Sequence, residues 1–346
     1  MIEGLNTLIV EAIKEGVMPG ANYALIANNK KHFGSFGNKA LFPNVEVNDI
    51  DTLYDMASLS KVISTTTCIM LLMERGKIRL NDPVSLYVPE FKHKNIMIWD
   101  LMTHSSGLPS DVSRSLYSNE TELIDYIMNV DLKYEKNTKI VYSDLGYILL
   151  GFVVERISGV KLDEFARQNI FIPLEMFDSG YNPRDIKRCA PTEDRKDFID
   201  RGYVHDEKAH TLNGVAGHAG LFSTVKDVSN FMEMILNDGV FNGKKFLSKQ
   251  TIDLLYTVQV EESNGVSKCL SRRGLGWILK GDWPSSGDLV SPNTIMHTGF
   301  TGTNVFIDRD NKVAFCLLAN RVHPTRDNTL IISFRAKVGN YIISNL

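Results

Sequence analysis

The sequence lacks what would tie it to a membrane, a nucleic acid or an oxidising compartment. Its longest apolar run, residues 147–154, is far below the roughly 20 residues a bilayer-spanning helix needs. Neither sign of charge dominates: 38 Lys and Arg against 41 Asp and Glu leave a formal −3, which provides no field for holding nucleic acid or an anionic lipid surface. Only four cysteines occur in 346 residues, Cys68, Cys189, Cys269 and Cys316, and none forms a Cys-x-x-Cys pair. Cys68 and Cys316 lie in apolar runs and read as buried free thiols of a reducing compartment. Residues 1–20 have no basic start and no continuous apolar stretch, so they read as an amphipathic helix and not as a signal peptide. The expected location is the cytoplasm, or outside the cell if a leader was removed. There is no internal repeat and no low-complexity segment. What is present is an ordinary globular composition, 43% hydrophobic and 23% charged, on a chain long enough for two domains.

Periodicity predicts a helix over 3–16, with Leu5, Leu8, Ile9, Ala12 and Ile13 on one stripe, and a hairpin of 21–27 and 31–37 about Asn28-Asn29. A short strand over 52–56 leads into an apolar helix over 58–75 that Gly76 ends. From 77 to about 199 helical patterns alternate with loops. Residues 202–224, rich in Gly, His and small side chains, read as a loop where backbones approach closely. Helices follow over 225–237 and 247–257. Strands return over 276–279, 304–307 and 313–318, and a helix over 329–343 closes the chain. Strands at both ends and helices between predict one α/β (α+β) fold. Its sheet domain is formed by 1–75 and 200–346, a helical domain over 76–199 is inserted, and a cleft lies between the two.

Ser58 and Lys61, at the entry of the 58–75 helix, stand one helical turn apart. A neighbouring amine can take a serine's proton if burial lowers its pKa, and a helix N-terminus favours an oxyanion. The same spacing recurs at Ser158/Lys161, at a helix end where the dipole has the wrong sign, and at Ser223/Lys226, where Ser223 and Thr224 read as caps. Only Ser58 has a strand before it and a long apolar helix after it. Tyr142-Ser143-Asp144 and His297-Thr298-Gly299 follow in order. A literal Tyr-x-Asn at Tyr117-Ser118-Asn119 precedes acidic residues at a helix start and reads as a cap. His205, Asp206 and His218 lack the spacing of a zinc site and read as cleft-lining residues, so no metal or cofactor is expected. His104 reads as structural and Trp277 as core.

In this order the three motifs resemble those of the penicillin-recognising serine hydrolases: class C β-lactamases, D-alanyl-D-alanine peptidases and related esterases. Leu101-Met102-Thr103-His104-Ser105-Ser106-Gly107-Leu108-Pro109 and Gly274-Leu275-Gly276-Trp277 extend the likeness over nearly the whole chain. The resemblance implies a β-lactamase/DD-peptidase-like fold in which Ser58 forms an acyl-enzyme. Lys61 would shuttle a proton, and Tyr142 would take the hydroxyl proton or protonate the leaving group. Which of the two is the base stays open at this point. It also implies an oxyanion hole from the backbone N–H groups of Ser58 and Phe300, each donor worth about 10²–10³ in rate. Thr298 and Gly299 would lie along the substrate. His297 stands where the β-lactamases carry lysine, so its charge would vary near neutral pH and the rate would fall as pH rises through its pKa. Asp144 departs from the family's asparagine. It offers only acceptors, so it either pairs with Lys61 and raises that pKa or caps the next helix, and it argues against efficient β-lactam hydrolysis. Gly202-Tyr203-Val204-His205-Asp206-Glu207-Lys208-Ala209 and the glycine-rich stretch through His218 to Ser223 resemble a branch with N-acetylmuramoyl-L-alanine amidases of this fold. The implied partner is a small molecule or peptide: a muropeptide, an ester or a β-lactam. The alternatives are a small-ester carboxylesterase, a weak β-lactamase, or a binding sensor that acylates without turnover.

Overall fold

The computed structural model describes residues 1–195, 199–263 and 270–346. Cys269 lies outside the described residues. A nine-stranded antiparallel sheet joins the two ends of the chain. Its order runs Glu46–Val47, Lys30–Ala40, Gly20–Ala27, Val313–Ala319, Asn304–Asp308, Thr294–Thr298, Ile278–Leu279, Leu270–Arg273, Val260–Ser263. Gly20–Ala27 pairs with Val313–Ala319, Ala24 opposite Cys316. Asn28 and Asn29, both at positive φ, close the first hairpin, as the two asparagines predict.

The central strands are apolar on both faces because both faces are covered. Tyr23, Leu25, Phe315 and Leu317 pack with the first helix, Ile2–Lys14, and the last, Ile331–Ser344. Ala24, Ile26, Cys316 and Leu318 face the larger core, which continues unbroken into the helices of the middle of the chain. Alternation therefore aims His297, on the same face as Ile295, toward those helices.

Between residues 77 and 195 the described elements are helices and turns apart from the two-residue strand Gly180–Tyr181. Trp277 is fully buried against Phe231. Residues 202–224 are not loop throughout, since Asp206 caps a short helix, Glu207–Thr211. The expected close approach is at Gly217, where a Cβ would stand 2.0 Å from the Tyr147 carbonyl oxygen, so only glycine lets this loop rest on helix Asp144–Ser158. Thr294–Thr298, Leu270–Arg273 and Val260–Ser263 are strands that the periodicity of the sequence does not announce.

Candidate active site

Ser58 sits in a turn just before the helix that carries Lys61. That turn is pinned on all sides. Ala57 holds φ +46, a strained value for a side-chain-bearing residue, and its N–H donates to Asp55 Oδ1 at 2.8 Å. Asp55 Oδ2 also accepts from the His205 N–H at 2.7 Å, which ties the turn to the His205 loop. Thr303 Oγ1 donates to the Met56 carbonyl at 3.2 Å. Gly299 leaves room for the same turn, because a Cβ there would meet Met56 O at 2.7 Å. The space Gly299 provides is thus filled by the protein's own chain. Lys61–Thr66 winds as a π-helical segment before α-helix Thr67–Glu74.

The Lys61 side chain is fully buried and its ammonium is held by two hydrogen bonds and one ion pair. The partners are Ser58 Oγ at 3.2 Å, the His218 carbonyl at 3.0 Å and Asp144 Oδ1 at 2.8 Å. Burial alone would lower its pKa, but Asp144 foremost and then Tyr142 outweigh that, and the ammonium is held above the usual lysine range. The proton-free lysine that would serve as a base is therefore disfavoured. Asp144 opens helix Asp144–Ser158, and the cap of that helix is Ser143, whose Oγ accepts from the Gly146 N–H at 3.3 Å. Of the two roles open to Asp144, the geometry gives it the pairing with Lys61. Burial pushes its pKa up, but Lys61 foremost among the nearby cations pulls harder and the net direction is down.

Asp144 Oδ2 also faces a second buried ammonium, Lys208, at 3.4 Å. Lys208 Nζ lies 2.9 Å from Asp111 and 3.1 Å from Asp206, and Asp206 Oδ1 meets His218 Nε2 at 2.7 Å. Asp144, Asp206 and His218 bring one ligand atom each within 4.8 Å of one another, a spacing a metal could use. The cation the two carboxylates share, however, is Lys208, so these residues do not fit a metal as they stand. His205 pairs with Glu193 at 3.0 Å and stacks on Phe300.

The opposite wall is different. Tyr142 Oη is buried without an aligned hydrogen bond, with Lys61 Nζ 4.8 Å and Arg273 5.7 Å from its ring centre. His104 packs on that ring at 4.6 Å and accepts the Ser143 N–H at 3.1 Å, which fixes the loop as expected. His297 Nδ1 lies 3.0 Å from the Thr298 carbonyl, an acceptor, so Nδ1 carries the proton and the unpartnered Nε2 presents a lone pair. Burial, then Arg273 and Lys61, push the His297 pKa down to about 3. The expectation that its charge varies near neutral pH is therefore corrected: His297 is a neutral imidazole there, because burial beside two cations outweighs its intrinsic basicity. The cation on this wall is Arg273, whose Nε and Nη1 are buried and unpartnered.

A cavity of about 240 Å³ brings together Ser58, Tyr142, Asp144, His205, His218 and Phe300 with Asp111, Lys208 and Arg326. Lys61 and His297 do not line it but neighbour residues that do: Lys61 Nζ is 3.2 Å from Ser58 Oγ, and the His297 ring centre is 6.1 Å from that of Tyr142. Motif reading missed Lys208, Arg273, Asp55 and Arg326. Arg273 needed the strand at Leu270–Arg273 to be recognised, and Lys208 carries no signal beyond its place in the His205 block. The decoys behave as caps: Asn119 accepts from Glu122 N–H at 3.0 Å and Thr224 from Asp227 N–H at 3.3 Å.

The family model described as Beta-lactamase matches residues 5–340. A "Putative D-alanyl-D-alanine carboxypeptidase" of Escherichia coli O157:H7 is 32% identical over 88% of this chain and 79% of its own. Its namesake in Escherichia coli K12 is 33% identical over 79% of this chain and 70% of its own. Among solved structures, a class C beta-lactamase superposes with a TM-score of 0.80 at 22% identity, covering 99% of this chain and 96% of its own. The octameric penicillin-binding protein homologue from Pyrococcus abyssi gives 0.75 at 21%, covering 99% of this chain and 77% of its own. The chain belongs to the beta-lactamase family, with that family's mixed α/β fold, and is a serine hydrolase. Among the described residues no helix is long and apolar enough to cross a membrane.

Proposed function

We propose that the chain hydrolyses an amide bond in a cell-wall peptide or muropeptide through an acyl-enzyme on Ser58. The observation that carries this is Ser58 Oγ accepting from the buried Lys61 ammonium at 3.2 Å, in one cavity with Tyr142. With Lys61 held as a cation, Tyr142 acts as a phenolate flanked by Lys61 and Arg273, takes the Ser58 proton and becomes a phenol. Oγ then attacks the acyl carbonyl, whose developing oxyanion faces the N–H groups of Ser58 and Phe300. Tyr142 returns the proton to the leaving amine as the C–N bond breaks; water then attacks the ester while losing a proton to Tyr142, which passes it to the departing Ser58 Oγ and is a phenolate again. Neutral His297 offers Nε2 as an acceptor that orients the Tyr142 side, and His205 and His218 line the substrate's path. We place the active site between the sheet part, 1–75 and 200–346, and the 76–199 insert.

The relatives named for D-alanyl-D-alanine carboxypeptidase support a cell-wall peptide as substrate. Asp144 narrows the bond. Both its oxygens face ammoniums, so it has no donor for the carbonyl of an α-acylamino group such as penicillins and peptidyl-D-alanine carry. The lactyl amide of a muramyl peptide lacks that group and fits the wall better. Buried free thiols at Cys68, Cys189 and Cys316 support action in a reducing, cytoplasmic compartment. Incubation with a purified muramyl peptide should release the peptide with a free N-terminal alanine, read by mass spectrometry, and Ser58→Ala should abolish it. Release of free D-alanine alone would replace this bond with the carboxypeptidase one.

A further inference from the structure

Five side chains close a ring behind the nucleophile. Lys61 pairs with Asp144, Asp144 faces Lys208, Lys208 pairs with Asp206, Asp206 meets the His218 ring, and the His218 carbonyl returns to Lys61. Lys208, like Asp206 and His218, belongs to none of the three catalytic motifs. Its side chain is 5% exposed, and its ammonium forms ion pairs with three carboxylates, Asp111 at 2.9 Å, Asp144 at 3.4 Å and Asp206 at 3.1 Å. Ligand oxygens of Asp144 and Asp206 lie within 4.8 Å of each other. Two carboxylates that close do not both stay ionised unless a cation stands between them. Resting on the acyl-enzyme reading of Ser58, we propose that Lys208 is a positioning residue for the reaction, holding Asp144 as a carboxylate turned to Lys61 and so keeping Lys61 an ammonium.

The groups facing this pair come from every neighbouring element. They are Lys61 on the nucleophile helix, His218 on the glycine-rich loop, Asp206 and Glu207 at the short helix, Asp111 before it in the chain, and Tyr117. Remove the Lys208 charge, and Asp144 and Asp206 are left facing each other with Lys61 beside Asp144 and the His218 ring beside Asp206, and no cation between them. One of them then takes up a proton at a pH where both were ionised. The Lys61–Asp144 pair weakens on the acid side first.

The test is the pH profile of kcat/KM for p-nitrophenyl acetate, measured with wild type, Lys208→Met, Lys208→Arg and Lys208→Met/Asp206→Asn. In Lys208→Met the acid limb should move up by at least about one pH unit, so kcat/KM at pH 6 falls about tenfold or more while the value at pH 8–9 stays within about threefold. Lys208→Arg should restore the limb, and so should the double variant, which removes the facing charge and folds without an unpaired carboxylate. A uniform loss with an unmoved limb, or a double variant that fails to restore it, would overturn the proposal. Ester turnover that survives in Ser58→Ala would instead sink the acyl-enzyme reading, and this inference with it.

Discussion

The two walls of the active site handle buried polarity in opposite ways. On one side Lys61, Asp144, Lys208, Asp206 and His218 close a ring in which every charge faces an opposite charge, although Asp144 Oδ1 and His218 Nδ1 make no aligned hydrogen bond. On the other, Tyr142 Oη, His297 Nε2 and two nitrogens of Arg273 are buried with no hydrogen-bond partner. Unsatisfied buried groups are costly, and a folded chain keeps them where a ligand completes them. The charge-paired wall is thus scaffold for the nucleophile, and the wall where Arg273 has no counter-charge and Tyr142 no bond is where reacting groups are to be met. Removing Asp144 from the first wall should accordingly cost stability above all, and removing Tyr142 from the second should cost rate.

The largest effect is expected from Asp144→Ala, which leaves two buried ammoniums without their shared carboxylate. Urea unfolding should show a loss of about 3–5 kcal/mol. A loss under 1 kcal/mol would mean the ring is not a structural unit. Tyr142→Phe should do the reverse: stability within about 1 kcal/mol of wild type, since the lost hydroxyl makes no bond, but kcat lower by about 10²–10⁴. An active Tyr142→Phe enzyme would return the base to Lys61.

The smallest effect concerns His297. Its folded pKa, about 3, lies below the ordinary imidazole value, so between those values the unfolded chain binds a proton that the native one does not. Stability therefore rises with pH through that window and is lost on acidification, by about 2 kcal/mol from pH 7 to pH 5 for this one group. His297→Asn should remove that share of the slope in unfolding experiments at pH 5, 6 and 7. An unchanged slope would show that His297 is protonated in the folded enzyme.

Much of the fold was legible because periodicity and punctuation agree where strands and helices are long: the asparagine hairpin, the apolar helix after Ser58, the closing helix. The short sheet-edge strands were not, since two to four residues such as Leu270–Arg273 carry no measurable alternation. The nucleophile and its motif partners could be read from residue type, order and spacing. His297's protonation could not, because it depends on burial beside Arg273 and Lys61, two cations brought from distant segments. Lys208 likewise gains its role only from three carboxylates gathered by tertiary contacts.

The most direct test is the intact mass of the protein after exposure to a fluorophosphonate, with the adduct mapped by peptide sequencing. The account predicts one adduct, on Ser58, absent in Ser58→Ala and formed more slowly in Tyr142→Phe. An unmodified protein, or an adduct that persists in Ser58→Ala, would contradict it.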